Sequence, residues 1–215
     1  LFFDMLEKRD ADGEDTDAVP YLSSQNDNLR SKMPGLLQDC AESLSLADEC
    51  FDSKPEAINL WIGDERSVSS LHKDFFENMY CVVRGEKTFT LCPPTDVAFM
   101  PTAEFPVGTY EYRNADAGVT VSANADANTD ALEPLVSLSR RPRKDELVEV
   151  PSSSTTSPVP WIYLDPDAPN AAEQYPPFAL ASPVRVTVKA GEVLYLPAMW
   201  LHRVSQTQLS IAVNF

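Results

Sequence analysis

No stretch of this sequence approaches the roughly 18 uninterrupted apolar residues that a membrane-spanning helix needs. Its apolar content of 43% is therefore expected to serve an ordinary core, with no membrane partner. Cysteines are few and scattered, at 40, 50, 81 and 92, and none forms a C-x-x-C pair. That argues against a zinc knuckle or a thioredoxin-type motif. The four read as small residues, buried or half-buried among apolar neighbours. An N-x-Ser/Thr glycosylation sequon is missing as well. Both absences lean toward a reducing interior compartment, cytoplasmic or nuclear. Basic residues are scarce: 17 Lys and Arg face 33 Asp and Glu, a net charge of −16. Nucleic acid bound through its phosphates needs a basic face, so that partner class is excluded. An acidic balance leaves two readings, a solvated surface or a field that steers a basic protein substrate.

What is present fits one domain with room for a sizeable core. The sequence begins at Leu1 and ends in the apolar run Ile211–Phe215, and reads as a fragment. Residues 1–18, with seven acidic side chains, read as a solvated acidic segment ahead of a domain over 19–215. Val19-Pro20-Tyr21-Leu22 is a short strand candidate. Residues 29–50 have the spacing of short helices, broken at Pro34-Gly35. From Ala57 onward, short runs rich in Val, Ile, Phe, Tyr and Trp alternate with turn signals, at 57–62, 78–83, 87–92, 184–188, 192–196, 201–205 and 209–215. That pattern predicts a mainly β protein, a sandwich or barrel, with short flanking helices. Residues 114–158, rich in Ala, Asn, Asp and Ser, interrupt it and read as a disordered insertion.

Only two histidines occur, His72 and His202. His72 and Asp74 are two apart, a spacing that on a strand points both side chains to one face. His202 lies on a late strand candidate and is expected to reach the same ion across the lumen. Two histidines and one carboxylate make a facial triad with open positions, the geometry of non-haem Fe(II) oxygenases. His-x-Asp alone is weak evidence, because an isolated histidine is more often a structural hydrogen-bonding residue. The flanking residues add to it. Phe76, Asn78, Tyr80 and Val82 share a face with Asp74. Gly85-Glu86 suits a two-residue hairpin turn, which would place Lys87, Phe89 and Leu91 on the same inward face. A lysine buried without an anion is costly. A dicarboxylate cosubstrate supplies that anion, and the alternative is a lysine that snorkels outward. On the last strand Leu209, Ile211, Val213 and Phe215 form an apolar face. Ser210, Ala212 and Asn214 form a small or polar one that leaves space for a ligand.

Taken together, Asn59–Gly63, Ser70–Asp74, Glu77–Lys87, Pro93-Pro94, Pro160–Pro166 and Leu194–Trp200 resemble jumonji-C proteins of the cupin-8 group. The likeness covers most of 19–215 outside the insertion. It implies a double-stranded β-helix, or jelly roll, with Fe(II) on His72, Asp74 and His202. It implies 2-oxoglutarate against Lys87, with Tyr21, Ser69, Asn78, Tyr80 and Asn214 as further contacts and O₂ as co-reactant. Position 69 departs from the family's usual Thr, but Ser keeps the hydroxyl. The implied activity is hydroxylation of a protein lysyl side chain at C-3, on GTP-binding proteins of the developmentally regulated class. A peptidase activity has also been attributed to such proteins, and no separate peptidase motif stands out. Members of the family continue past the last strand into helices that support a homodimer. The rival expectation is a metal-binding cupin without oxygenase activity, either an isomerase or hydrolase or an inactive interaction module.

Overall fold

The structure, a computed structural model, describes residues 19–105 and 159–215, with the backbone of three short strands at 109–111, 120–122 and 137–138. The acidic segment 1–18 and most of the 114–158 insertion lie outside the described residues.

Fourteen strands are described: β1 (Pro20–Leu22), β2 (Asn59–Gly63), β3 (Ser69–Lys73), β4 (Asn78–Arg84), β5 (Glu86–Cys92), β6 (Thr102–Phe105), β7 (Thr109–Glu111), β8 (Thr120–Ser122), β9 (Ser137–Leu138), β10 (Val159–Ile162), β11 (Val184–Lys189), β12 (Val193–Leu196), β13 (Leu201–Ser205) and β14 (Ser210–Asn214). Six of them make one sheet in the order β12-β4-β14-β2-β1-β9, and four make a second, β11-β5-β13-β3. Every pairing is antiparallel. The two sheets face each other as a jelly roll. Short helices α1 (Asn28–Lys32) and α2 (Ser45–Phe51) match the stretch 29–50 expected to be helical to within one residue at each end.

The alternation of side chains sets three apolar layers. Tyr80, Val82 and Ala212 from the large sheet meet Phe89, Val188 and Val204 from the small one, closing the sandwich. Leu60 and Val213 point the other way, under α1, with Leu22, Leu29 and Ile58. Behind the small sheet, Leu71, Cys92 and Leu201 pack on Met100, Leu164, Ala171 and Phe178. β14 thus has the two faces read from its sequence, with Ile211 and Val213 outward and Ser210, Ala212 and Asn214 inward; Phe215, one residue past the strand, packs with the outer layer and also lines the cavity.

The expected hairpin at Gly85-Glu86 does not form. β4 pairs with β12 and β14, whereas β5 pairs with β11 and β13, so the chain crosses from one sheet to the other at this point. Gly85 takes φ +74°, and a Cβ there would meet the Leu209 carbonyl oxygen at 2.6 Å. Only glycine fits so tight a left-handed corner. Lys87, Phe89 and Leu91 do face the interior, because the corner turns the chain over between two facing sheets.

Candidate metal centre and its cavity

His72 and His202 sit on neighbouring strands of the small sheet and are paired directly across β3 and β13. Side chains so paired stand side by side on one face. Their ring centroids are 4.1 Å apart. The two imidazoles are therefore adjacent on one wall, and the expectation of a reach across the lumen is corrected. Asp74 lies one residue past the end of β3, not on the strand. What holds it is a tertiary bond: the Met199 N–H donates to the Asp74 carbonyl oxygen at 2.8 Å. Its Oδ2 lies 3.6 Å from His202 Nε2 and 3.9 Å from His72 Nε2. The three donor atoms all fall within 4.8 Å of one another.

The tautomers follow from the partners. His72 Nδ1 faces the Ser70 carbonyl oxygen at 2.6 Å, and His202 Nδ1 faces that of Trp200 at 3.0 Å. A carbonyl only accepts, so Nδ1 carries a proton in both rings, and in the neutral form of each ring the lone pair is on Nε2. Burial pushes His202 down to about 4, and the neighbouring His72 adds to the shift, so the ring is neutral at pH 7. Backbone carbonyls that orient an imidazole in this way are a usual second shell of a metal site. Trp161 of β10 stacks on His72 at 5.8 Å and 10°, and its indole N–H donates to Ser70 Oγ at 3.3 Å.

The triad opens into a cavity of about 620 Å³ that runs between the sheets. Tyr21, Ser69, Asn78, Tyr80 and Asn214 all line it. The Tyr21 hydroxyl bonds Ser69 Oγ at 3.2 Å, and burial pushes its phenol up to about 12. Tyr80 packs edge-on to Phe89 at 5.0 Å, and burial raises its phenol well above the usual value. Asn214 Oδ1 accepts the Trp61 indole N–H at 2.8 Å. Asn78 Oδ1 is buried with no donor among the described residues. Phe76 departs from expectation. It stands at the cavity mouth and is 65% exposed, because its segment has already left the strand.

Lys87 is fully buried, though it sits behind the cavity wall and not in it. Its Nζ lies 5.5 Å from the Tyr21 ring centre and donates to Gln206 Oε1 at 2.5 Å. Among the described residues no carboxylate pairs with it. Burial alone lowers its ammonium to about 7. Gln206 is held in turn by the Asp64 carbonyl oxygen at 2.6 Å. Gly63 makes room for that amide, since a Cβ there would meet Gln206 Nε2 at 2.5 Å.

Sequence reasoning gave no role to Trp61, Gln206, Trp161, Glu77 or Tyr195. Period-two alternation could have found two of them. Trp61 shares a face with Asn59, and Gln206 continues His202 and Val204. The other three reach the site through tertiary contacts. The cysteines are all free, and Cys50 is exposed rather than half-buried.

The profile of the cupin-like domain family matches residues 2–215, nearly the whole chain. This chain belongs to the cupin-like domain family. Within that family it is 38% identical over 197 residues to the human bifunctional peptidase and (3S)-lysyl hydroxylase JMJD7. It is 39% identical over 207 residues to lysine-specific demethylase JMJ32 of Arabidopsis thaliana, and 37% over 206 residues to JmjC domain-containing protein E of Dictyostelium discoideum. These alignments cover 91–92% of this chain and 52% of each relative, so this cupin-like chain spans about half the length of the curated relatives it matches.

Proposed function

We propose that this domain is an Fe(II)- and 2-oxoglutarate-dependent protein hydroxylase that acts on a lysyl side chain at C-3. The observation that carries the reading is Lys87, buried with no carboxylate partner among the described residues, held just behind a cavity that also takes in a His-Asp-His cluster. A metal-binding cupin that isomerises or hydrolyses has no need of such a cation. The residues fit the group. His72 and His202 offer bare Nε2 atoms, Asp74 offers an oxygen, and three protein ligands leave positions open for a cosubstrate and O₂. When bound, Fe(II) with 2-oxoglutarate and O₂ supplies oxidation, yielding succinate and CO₂ and placing one oxygen atom into a substrate C–H bond.

The chain's own residues do the rest. Lys87 anchors the far carboxylate of 2-oxoglutarate by exchanging its bond to neutral Gln206 for an ion pair. Tyr21, Ser69 and Asn214 offer hydroxyl and amide groups along the path. Asn78, whose oxygen has no donor, presents its NH₂ instead when its amide turns by half a rotation. Tyr80, Phe89 and Trp61 exclude water. Asp27, Asp48, Glu56 and Glu77 line the cavity with Lys54; Asp27 pairs with Arg30 and Asp48 with Lys54, so Glu56 and Glu77 are the carboxylates that favour a cationic side chain. The names of two relatives, a lysyl hydroxylase and a lysine-specific demethylase, support lysine as that side chain. The protein partner we propose is a GTP-binding protein of the developmentally regulated class, met in the cytoplasm or nucleus, with the whole protein a homodimer.

Succinate release from Fe(II) and 2-oxoglutarate tests the cosubstrate assignment. Lys87→Ala is expected to abolish it, and turnover unaffected by that change overturns the assignment. For the substrate, mass spectrometry is expected to find a 16-dalton gain on a lysine of the treated partner. Its absence would leave the oxygenase reading without its lysyl target.

A further inference from the structure

Asp74 is the one member of the triad outside a strand, so its place depends on contacts beyond the sheet. The nearest is the Met199 N–H, which holds the Asp74 carbonyl. Met199 itself has φ +69°, the left-handed region that a side chain rarely adopts. Such a residue persists only where its surroundings fix it. Three residues past Asp74, Glu77 supplies that constraint. Its Oε2 accepts from the Tyr195 hydroxyl at 2.7 Å and from the Ala198 N–H at 3.2 Å. The Tyr195 ring rests in turn against Phe51 of α2 at 6.0 Å. Segments 74–77 and 195–200 are thus joined by three hydrogen bonds, and the second runs straight into His202. The carbonyl that orients the His202 ring belongs to Trp200, inside the clamped segment.

We infer that Glu77 is a positioning residue for the metal triad: by gripping Tyr195 and Ala198 it fixes the gap between Asp74 and His202. The inference rests on the iron-site reading above and assigns Glu77 a part distinct from the ligands. Loss of the carboxylate frees the 197–200 turn, and the aspartate and the second imidazole no longer meet at one point.

Mn(II) titrated into the full chain, with the free ion followed by electron paramagnetic resonance, tests this without turnover. Glu77→Ala is expected to weaken binding about 5–30-fold, the worth of the one or two hydrogen bonds it removes. Tyr195→Phe should weaken it several-fold while the melting temperature without metal stays close to that of the unaltered chain. The double variant should bind no more weakly than Glu77→Ala, because both act through one contact. Glu77→Gln keeps an acceptor oxygen and should recover most of the affinity. Unchanged affinity in a folded Glu77→Ala variant overturns the inference, as does strict additivity with Tyr195→Phe. If Glu77→Ala fails to fold, unchanged affinity in Tyr195→Phe overturns it instead. An unaltered chain that binds no Mn(II) sinks the iron-site reading and this inference with it.

Discussion

The two sheets of the sandwich contribute different chemistry to one cavity. The four-stranded sheet carries every ionisable anchor on a strand: His72 on β3, Lys87 on β5 and His202 on β13. The six-stranded sheet faces them with Tyr21, Trp61, Asn78, Tyr80 and Asn214, which are neutral at pH 7. Groups that must hold a metal or an anion gain from a rigid mutual spacing, and three neighbouring hydrogen-bonded strands provide it. Groups that only orient a ligand can be spread over the opposite wall. Asp74 belongs to neither sheet, which is why it needs a clamp.

Changes on the small sheet should therefore be severe and changes on the large sheet graded. The largest effect is expected from His202→Ala. Metal binding should fall below detection by calorimetry, since no described side chain replaces the Nε2. Lys87→Met comes next and should cut two ways. Loss of the buried cation is expected to weaken 2-oxoglutarate roughly 100-fold or more, read as its KM in succinate release, with Mn(II) affinity unchanged.

The same variant should stabilise the cofactor-free protein, and here the sign depends on pH. Burial holds the folded ammonium near about 7 against an ordinary 10.5, so the unfolded chain binds that proton more tightly. The penalty is complete below about pH 7 and shrinks as pH rises toward 10.5. Denaturant titrations are expected to show Lys87→Met more stable by about 3–5 kcal/mol at pH 6, with the gap narrowing by pH 9.5. A gap that widens with pH would mean the ammonium is stabilised where it lies.

On the large sheet, Asn78→Ala and Asn214→Ala should each raise the KM for 2-oxoglutarate only about 5–15-fold, the worth of one hydrogen bond. An effect as large as that of Lys87→Met would erase the contrast between the sheets. The smallest change is expected from Trp161→Leu, which removes an aromatic stack worth about 0.5–1 kcal/mol and should weaken Mn(II) two- to fivefold.

Much of this site was legible in the sequence because strand alternation is local. The predicted strands at 201–205 and 209–215 match β13 and β14 within a residue or two, and the inward faces of β5 and β14 were read correctly. Partnership between strands was not legible. Gly85 with a strand on either side looks the same whether the chain folds back on itself or crosses to an opposing sheet, because both need a left-handed glycine. The adjacency of His72 and His202 depends on that partnership and was misjudged for the same reason. β3 is missing from the strand runs read by composition because Ser69-Ser70-Leu71-His72-Lys73 has little intrinsic preference for a strand, and only the His72–Asp74 spacing hinted at it. Its pairing with β13 supplies what its composition does not. Asp74 looked like a strand residue by spacing, yet a hydrogen bond from a residue 125 positions away fixes it.

The crossing at Gly85 also makes the chain intolerant of a change in length. Odd-numbered residues from Lys87 to Leu91 look into the sandwich only because a single residue separates β4 from β5. One residue fewer there would put Thr88 in the place of Lys87 and one more would put Glu86 there, and either change would turn Lys87 out of the sandwich. Many side chains of this domain can be exchanged for others, but at that corner even the count of peptide units is fixed by what the lysine must face.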